Sequence, residues 1–241
     1  MITVFHSHVL PGIDDGSRSV AESIAMLQAE AEQGITHVIA TPHFYAHRTT
    51  PERFLEKRNQ AEMMLREEME KYPGLPRLSV GAEIYFFNGI SDCDAINLLT
   101  IGGNRCILLE MGDSPWGDSA YREMMQIWQK QGLTPVIAHV DRYIGPWRDY
   151  GIPSRLEALP VVVQANASFF LRPSTSPMAM RMLKRDQIHL LGSDCHNMTS
   201  RRPNLGSALQ KIQRKLGQGA IDRVRGCEAA LLGGELIETS V

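Results

Sequence analysis

The chain reads as an α/β protein, and three observations carry that reading. Short apolar runs of strand character alternate with amphipathic helical stretches. There are seven such runs, which argues for parallel strands joined by helical crossovers, with a barrel as the expected closure. Most of the runs end in a histidine or an acid, and active sites of (β/α) barrels sit at the C-terminal strand ends.

The elements follow in order. Residues 2–8 form the first strand and end on His6-Ser7-His8. Residues 19–33 carry Val20, Ile24, Leu27 and Ala31 at helical spacing. The second strand, 37–43, contains Val38-Ile-Ala-Thr-Pro-His43. Thr49-Thr50-Pro51-Glu52 is a capping pattern with proline in the first turn, and it opens a helix over 51–72. Phe54, Ala61, Leu65 and Met69 form its apolar side. A third strand over 77–86 contains Leu78-Ser-Val-Gly-Ala-Glu83, and a fourth over 106–111 contains Ile107-Leu-Leu-Glu110. A helix at 119–131 precedes the fifth strand, 135–140, with Val136-Ile-Ala-His139. The sixth strand is 161–166, followed by a helix at 176–186. The seventh, 188–194, runs into Asp194-Cys195-His196, and a helix at 205–217 follows. The tail after Gly217 is expected to pack as one or two short helices, and residues 1–241 are expected to form one domain.

Bulk properties exclude several classes of function. The net charge is −2, so no electrostatic case exists for nucleic acid or an anionic membrane. No apolar run approaches 18 residues, and Met1-Ile-Thr-Val-Phe-His6 has neither a basic start nor a cleavage site, so a cytoplasmic protein is expected. Cys93, Cys106, Cys195 and Cys227 lack metal-type spacing and read as reduced thiols.

The candidate site is a metal centre. Side chains two apart on a strand share a face, so His6 and His8 point together, as do Asp194 and His196. Asp15, His43, Glu83, Glu110 and His139 complete a set of nine nitrogen and oxygen donors. Asp15 taken alone also reads as a turn residue or a helix N-cap. The mixed donor set suits Mn²⁺, Fe²⁺ or Zn²⁺ better than Ca²⁺ or a thiolate zinc site, and a polynuclear centre of this kind implies hydrolysis.

Five segments carry a resemblance: His6-Ser-His8-Val-Leu-Pro-Gly-Ile-Asp-Asp15-Gly, Ala40-Thr-Pro-His43, Gly81-Ala-Glu83-Ile-Tyr, Ala138-His139-Val-Asp-Arg142 and Gly192-Ser-Asp194-Cys-His196-Asn. In combination they resemble the PHP (polymerase and histidinol phosphatase) superfamily, in particular its bacterial tyrosine-phosphatase branch of the CpsB/YwqE type. The resemblance implies a distorted (β/α)7 barrel with up to three divalent ions, most readily Mn²⁺. It implies one ion on His6, His8, Glu83 and Asp194. A second would share Glu83 with Glu110 and His139, and a third would take Asp15, His43 and His196. Arg142 and Arg201 would bind phosphate, with Arg202 as the neighbouring alternative to Arg201. Asp141 stands where relatives commonly carry glutamate. The implied substrate is the phosphotyrosine-bearing tail of a bacterial tyrosine kinase that controls capsule or exopolysaccharide synthesis. A water bridging two metals would lose its proton near neutral pH and act as nucleophile. A phenolate leaves readily, so little general-acid help is needed.

Competing readings stand beside this one. One is a phosphatase for a small ester such as histidinol phosphate, and another is a non-catalytic regulator that only binds the kinase. Cys195 to Arg201 also fits the C-x5-R spacing of cysteine-based phosphatases. The loop lacks the glycine that would let backbone wrap a phosphate, which argues against it. His47 is expected at the site mouth or in solvent, and His37 and His189 as strand-start surface residues. Phe44, Tyr45, Phe86, Phe87, Trp116 and Trp147 read as core, with lining of the mouth as the alternative. The charges of residues 66–71 read as a solvated helix face.

Overall fold

The computed structural model describes residues 2–113, 115–145 and 151–237. Trp147 lies outside these residues. All seven expected strand regions are present, and every pairing between them is parallel. In chain order the strands are β1 (Thr3–Ser7), β2 (His37–Ala40), β3 (His43–Phe44), β4 (Arg77–Val80), β5 (Glu83–Tyr85), β6 (Cys106–Glu110), β7 (Thr134–Ile137), β8 (Val162–Asn166) and β9 (Leu190–Gly192). The helices are α1 (Val20–Glu32), α2 (Pro51–Met69), α3 (Asp118–Gln126), α4 (Ile152–Leu156), α5 (Ala167–Leu171), α6 (Ser176–Lys184), α7 (Leu205–Leu216) and α8 (Gln218–Leu232).

Two expected strands are each broken in two. The runs 37–43 and 77–86 become β2 with β3 and β4 with β5. Pro42 has no N–H to give a ladder, and pairing lapses there on both strands at once. It passes Ala40↔Val80 and resumes at His43↔Glu83, bridged by the bond from the Glu83 N–H to the Pro42 carbonyl (3.0 Å). The result is a three-stranded sheet, β1-β2-β4, and a six-stranded one, β3-β5-β6-β7-β8-β9. Among the described residues the free edges of the two sheets meet through a single bridge, Ser7↔Cys195. Two backbone bonds hold it, Asp194 N–H to His6 O and His8 N–H to Cys195 O, both 2.9 Å. This one narrow seam brings the first and last metal motifs side by side.

Beneath the motifs the enclosed space is packed with apolar side chains. Phe5, Ile39, Leu108, Val136, Val162 and Leu190 form one fully buried cluster with Leu231 of α8. Register between β1 and β2 shifts between Val4 and Ser7, a bulge that lets Phe5 join this layer while His6 and His8 sit above it. A larger core lies between strands and helices, and Ile24 and Leu27 of α1 and Phe54 and Leu65 of α2 contribute to it. Ser19 and Thr50 cap these two helices by accepting from the N–H groups of Glu22 and Arg53.

Several expectations need correction. The tail forms one packed helix, within the expectation and longer than the short helices foreseen: α8 runs 15 residues, since its apolar positions Ala220, Ile221, Val224 and Leu231 find β1 and β9 to pack on. The 3₁₀ turns between Ile90 and Gly103, and the short α4 and α5, were not foreseen. Pieces of three to six residues carry too little periodicity to detect. His37 is fully buried rather than on the surface. Its Nε2 pairs with Ser79 Oγ at 2.8 Å, and burial pushes its pKa down to about 4. His189 is half-buried and accepts from the Val163 N–H through Nδ1. The 66–71 segment behaves as expected, with exposed ion pairs Arg66–Glu62 and Lys71–Glu68.

One carboxylate of α8 makes stability pH-dependent. Glu228 is 4% exposed, and burial pushes its pKa up to about 8. A raised carboxyl pKa means the folded state keeps a proton that the unfolded chain has released. Stability is therefore full at acidic pH and falls as pH rises from about 4.5 to 8. Glu228→Gln removes that dependence. In denaturant titrations the variant should match wild type near pH 5 and exceed it by roughly 1–2 kcal/mol at pH 8.5. Equal slopes of stability with pH for both proteins would contradict this reading.

Candidate metal centre

All nine predicted donors converge at the C-terminal strand ends. Glu83, fully buried at the start of β5, is the centre. Its Oε2 lies 3.1 Å from His6 Nε2, 3.2 Å from His8 Nε2 and 3.1 Å from His43 Nδ1. Its Oε1 lies 2.7 Å from His139 Nε2. Four imidazoles thus surround one carboxylate. The pKa of Glu83 falls well below the usual range, since His6 and the bonds from His139 and its neighbours outweigh burial, which acts the other way. Burial also opposes the rise at His8, where Asp14 and Glu83 together carry its pKa up to about 10. Glu110, at the end of β6, moves oppositely, up to about 7, because burial and Glu83 both disfavour its charge.

Three groupings bring ligand atoms within 4.8 Å of one another: His8, Asp15, His43 and His196; His6, His8 and Asp194; and His43, Glu83 and Glu110. His139 joins through Glu83 and lies 3.7 Å from Glu110. Asp15 is the outermost donor, 3.5 Å from His43 Nε2 and 3.4 Å from His196 Nε2, with its side chain 65% exposed. The donors fit divalent ions on two observations. His43 Nδ1, Glu83 Oε2, Glu110 Oε2 and His196 Nε2 are buried with no partner in hydrogen-bond geometry, although ionisable atoms crowd within 3.1–3.5 Å of them. His6 Nε2 and His8 Nε2 also face each other at 3.1 Å, two ring nitrogens turned on one point. Buried polar atoms are ordinarily satisfied, so a cluster of orphans with ligand chemistry marks a cation site.

Backbone strain aims two of the donors. His139 and Asp194 both hold left-handed conformations, at φ 33° and φ 49°. Such non-glycine positions are costly and persist where surroundings enforce them. Gly192 permits the close approach beneath. A Cβ there would lie 2.7 Å from His6 Cβ and from Gln164 Nε2.

Both predicted arginines reach this centre through Asp194. Arg142 Nη2 donates to Asp194 Oδ2 at 2.6 Å, and Arg201 Nη2 to Oδ1 at 2.7 Å. Arg202 is exposed and makes no such contact among the described residues. Asn197 decides between them. Its Oδ1 accepts from the N–H groups of Thr199, Ser200 and Arg201, curling the loop so that Arg201 returns to the site.

Several partners of the donors were missed in the sequence. Asp14 Oδ2 accepts from His8 Nδ1 (2.7 Å) and from the His43 N–H (3.0 Å), while Oδ1 accepts from the Gly16 N–H (2.9 Å). One carboxylate thus turns the His8 Nε2 inward and ties two donor segments together. Gln164 Oε1 accepts from the His139 N–H (2.7 Å) and lies 3.3 Å from His6 Nδ1. Asn166 Nδ2 donates to Asp194 Oδ2 at 2.9 Å, and its backbone N–H donates to Asp141 at 2.8 Å. The signal for this pair was Gln and Asn two apart on an otherwise apolar, buried strand. For Asp14 the signal was a second acid beside Asp15, and which of the two faces inward depends on the turn.

The aromatic candidates divide. Tyr45 stacks on His43 (5.3 Å, 27°). Phe44 is core against Phe54, and Trp116 packs edge-on against Tyr143. His47 is exposed. Cys195 is fully buried on the far side of its segment, with Sγ 3.8 Å from Glu30 Oε1. Burial and Glu30 push its thiol pKa well above normal. A thiolate nucleophile needs the reverse, so the C-x5-R reading fails.

The model of the family described as "Capsular polysaccharide synthesis, CpsB/CapC" matches residues 2–230. The chain belongs to the CpsB/CapC family. It is 28% identical over 225 residues to the tyrosine-protein phosphatase CpsB of Streptococcus pneumoniae, covering 88% of this chain and 90% of that one. It is 29% identical over 222 residues to the tyrosine-protein phosphatase YwqE of Bacillus subtilis, covering 88% and 84%. Its fold matches a crystal structure from work on YwqE and CpsB, described as metal-dependent tyrosine phosphatases. The TM-score is 0.83 at 23% identity, over 98% of this chain and 96% of that one. A histidinol phosphate phosphatase from Lactococcus lactis shares the fold more distantly, with a TM-score of 0.52 at 16% identity over 91% and 92% of the two chains.

Asp14 and Asp15 should separate on substitution. Asp14→Ala removes the acceptor that orients His8 and should weaken metal affinity by about 10–100-fold, the usual cost of losing such a partner. Asp14→Asn keeps an acceptor and should lose less. Metal content after dialysis, followed by calorimetric titration, reads this directly. Unchanged affinity in Asp14→Ala would show that His8 is held by its strand alone.

Proposed function

We propose that this chain is a divalent-metal-dependent protein-tyrosine phosphatase acting on the phosphotyrosine-bearing tail of a bacterial tyrosine kinase in capsule or exopolysaccharide synthesis. The observation that carries the reading is the nine-donor cluster with its orphaned ligand atoms, flanked by two arginines. Family membership and the names of the relatives support it. The kinase partner follows from the resemblance, and the cytoplasmic location is kept as the sequence-based expectation. No helix among the described residues is long and apolar enough to cross a membrane.

His6, His8, Asp194 and Glu83 would hold one ion, Glu83, Glu110 and His139 a second, and Asp15, His43 and His196 a third. We favour Mn²⁺, because the donors are nitrogen and oxygen with no thiolate. Divalent ions here supply Lewis acidity toward phosphoryl oxygens and water activation near neutral pH. The chain's own residues do the rest. Arg142 gives Nη2 to Asp194 and a longer Nη1 contact to Glu110 (3.4 Å), Arg201 gives Nη2 to Asp194, and the donors left over can reach phosphate oxygens. Tyr45, stacked on His43, offers a wall for the substrate ring. His6 and His8, with Arg142 behind them, keep Asp194 anionic against its burial, and Asn166 and the two arginines aim it by hydrogen bonds. The departing phenolate has a pKa of about 10, so no buried acid is demanded of the protein.

Chelation should abolish activity on a phosphotyrosine peptide, and Mn²⁺ should restore it best among common divalent ions. Full turnover by a verified metal-free preparation would overturn the proposal. A parallel assay on histidinol phosphate separates the small-ester reading, and no turnover of either would favour a kinase-binding regulator.

Substitutions test the assignment of roles. His6→Ala and Glu83→Ala should each lower kcat by at least ~100-fold, about 2.7 kcal/mol of barrier. Arg142→Ala and Arg201→Ala should lose roughly 100-fold in kcat/KM, mostly in kcat, and Arg202→Ala far less. Cys195→Ser should retain most activity. A dead Cys195→Ser enzyme with normal metal content would restore the cysteine mechanism.

A further inference from the structure

The turn at residues 45–50, between β3 and α2, has a cavity on each side. One, about 560 Å³, contains Asp15, His43 and Tyr45 and opens onto the metal centre. The other, about 450 Å³, is walled by Phe44, Phe87, Ile96 and Leu99, with Ala95 beside them. Arg48 and Thr49 line both, so the two spaces share one wall.

The second cavity has a distinct chemistry. Its floor is aromatic and aliphatic, yet no carboxylate lines it. Its polar border is Arg48, Arg53 and His47. Arg53 has no acidic partner among the described residues. Among the described residues the Arg48 guanidinium meets the His47 ring (Nε to Nε2, 3.3 Å) and the face of Tyr45, 4.6 Å from its guanidinium carbon, and no carboxylate. Other exposed arginines among the described residues, such as Arg77, Arg122 and Arg214, also lack an acidic partner, while Arg66, Arg155 and Arg223 are paired; what sets Arg48 and Arg53 apart is that both border one apolar hollow. An apolar hollow bordered by unmatched cations is complementary to a ligand that is apolar and flanked by anions. An extended peptide advances about 3.3 Å per residue, so a chain with its phosphotyrosine in the first cavity reaches the second within a few residues.

We propose that this second cavity is a specificity pocket of the phosphatase. It takes an apolar side chain of the protein substrate within a few residues of the phosphotyrosine, and Arg48 and Arg53 read acidic residues beside it. The assignment rests on the phosphatase reading and deepens it, since it names an acidic, apolar phosphopeptide as the substrate class. Arg48, on the shared wall, links the two spaces by bracing Tyr45 against His43.

The test is kinetic and uses the full chain loaded with Mn²⁺. One set of phosphotyrosine peptides carries leucine or serine at each of the three positions on either side. A second carries glutamate or lysine there. Wild type should prefer leucine at one position by ~10-fold or more in kcat/KM, the scale of burying one aliphatic side chain. It should prefer glutamate to lysine at a neighbouring position. Ala95→Trp, which fills the hollow, should flatten the leucine preference. Arg53→Glu should reverse the charge preference, and it stands alone if the tryptophan variant does not fold. Equal rates across all peptides, or a preference for lysine, would overturn the pocket and leave the phosphatase reading intact. No turnover of any peptide or of 4-nitrophenyl phosphate would overturn both.

Discussion

A carboxylate with no solvent exposure, ringed by four imidazoles, is the constraint around which this molecule is organised. Glu83 sits on β5, while its partners come from β1, β3 and the end of β7. A buried anion is tolerable only if paired. The strands that pair it must therefore end at one level, and the parallel register His43↔Glu83↔Leu108 sets that level. The same proximity explains the opposite behaviour of neighbouring acids. Glu83 takes the positive field, and Glu110, left beside an anion, rises toward neutrality.

Holding so many like groups together requires a second layer of fixed partners. Asp14, Gln164 and Asn166 supply it, each bonding a donor side chain or the backbone that carries one. Strain is part of the same arrangement. His139 and Asp194 keep left-handed backbones because hydrogen bonds to Gln164, Asn166 and His6 hold them in place. The seam at Ser7 and Cys195 is short, so it joins β1 to β9 where His6, His8, Asp194 and His196 must meet. Cys195 is best understood through that seam. Its side chain turns away from the donors into the core beside Glu30, which accounts for a cysteine standing inertly between two metal-type residues.

Much of the fold was legible because periodicity survives in the long elements. α1, α2 and α7 begin and end within a few residues of their apolar patterns, and the six strand regions that carry a histidine or acid end within two residues of it. The donor set was legible for a related reason. In parallel strands the C-terminal ends face one way, so a donor after each run needs no further information to be placed near the others. The breaks at Pro42 and Gly81, the 3₁₀ turns of 90–103 and the burial of His37 were not legible. Each depends on which segments pack across the chain, and local pattern does not encode that.

The sequence by itself determined the class of fold, the donor types and their common end of the barrel, because alternation and strand polarity are local properties. The tertiary structure decided what depends on angles and neighbours. It left Asp15 at the rim, facing His43 and His196, and made Asp14 the brace on His8, since three hydrogen bonds turn Asp14 inward. It chose Arg201 over Arg202, since Asn197 curls the loop between them. It set the thiol of Cys195 apart from the chemistry, since one residue of strand alternation places it on the opposite face from Asp194 and His196.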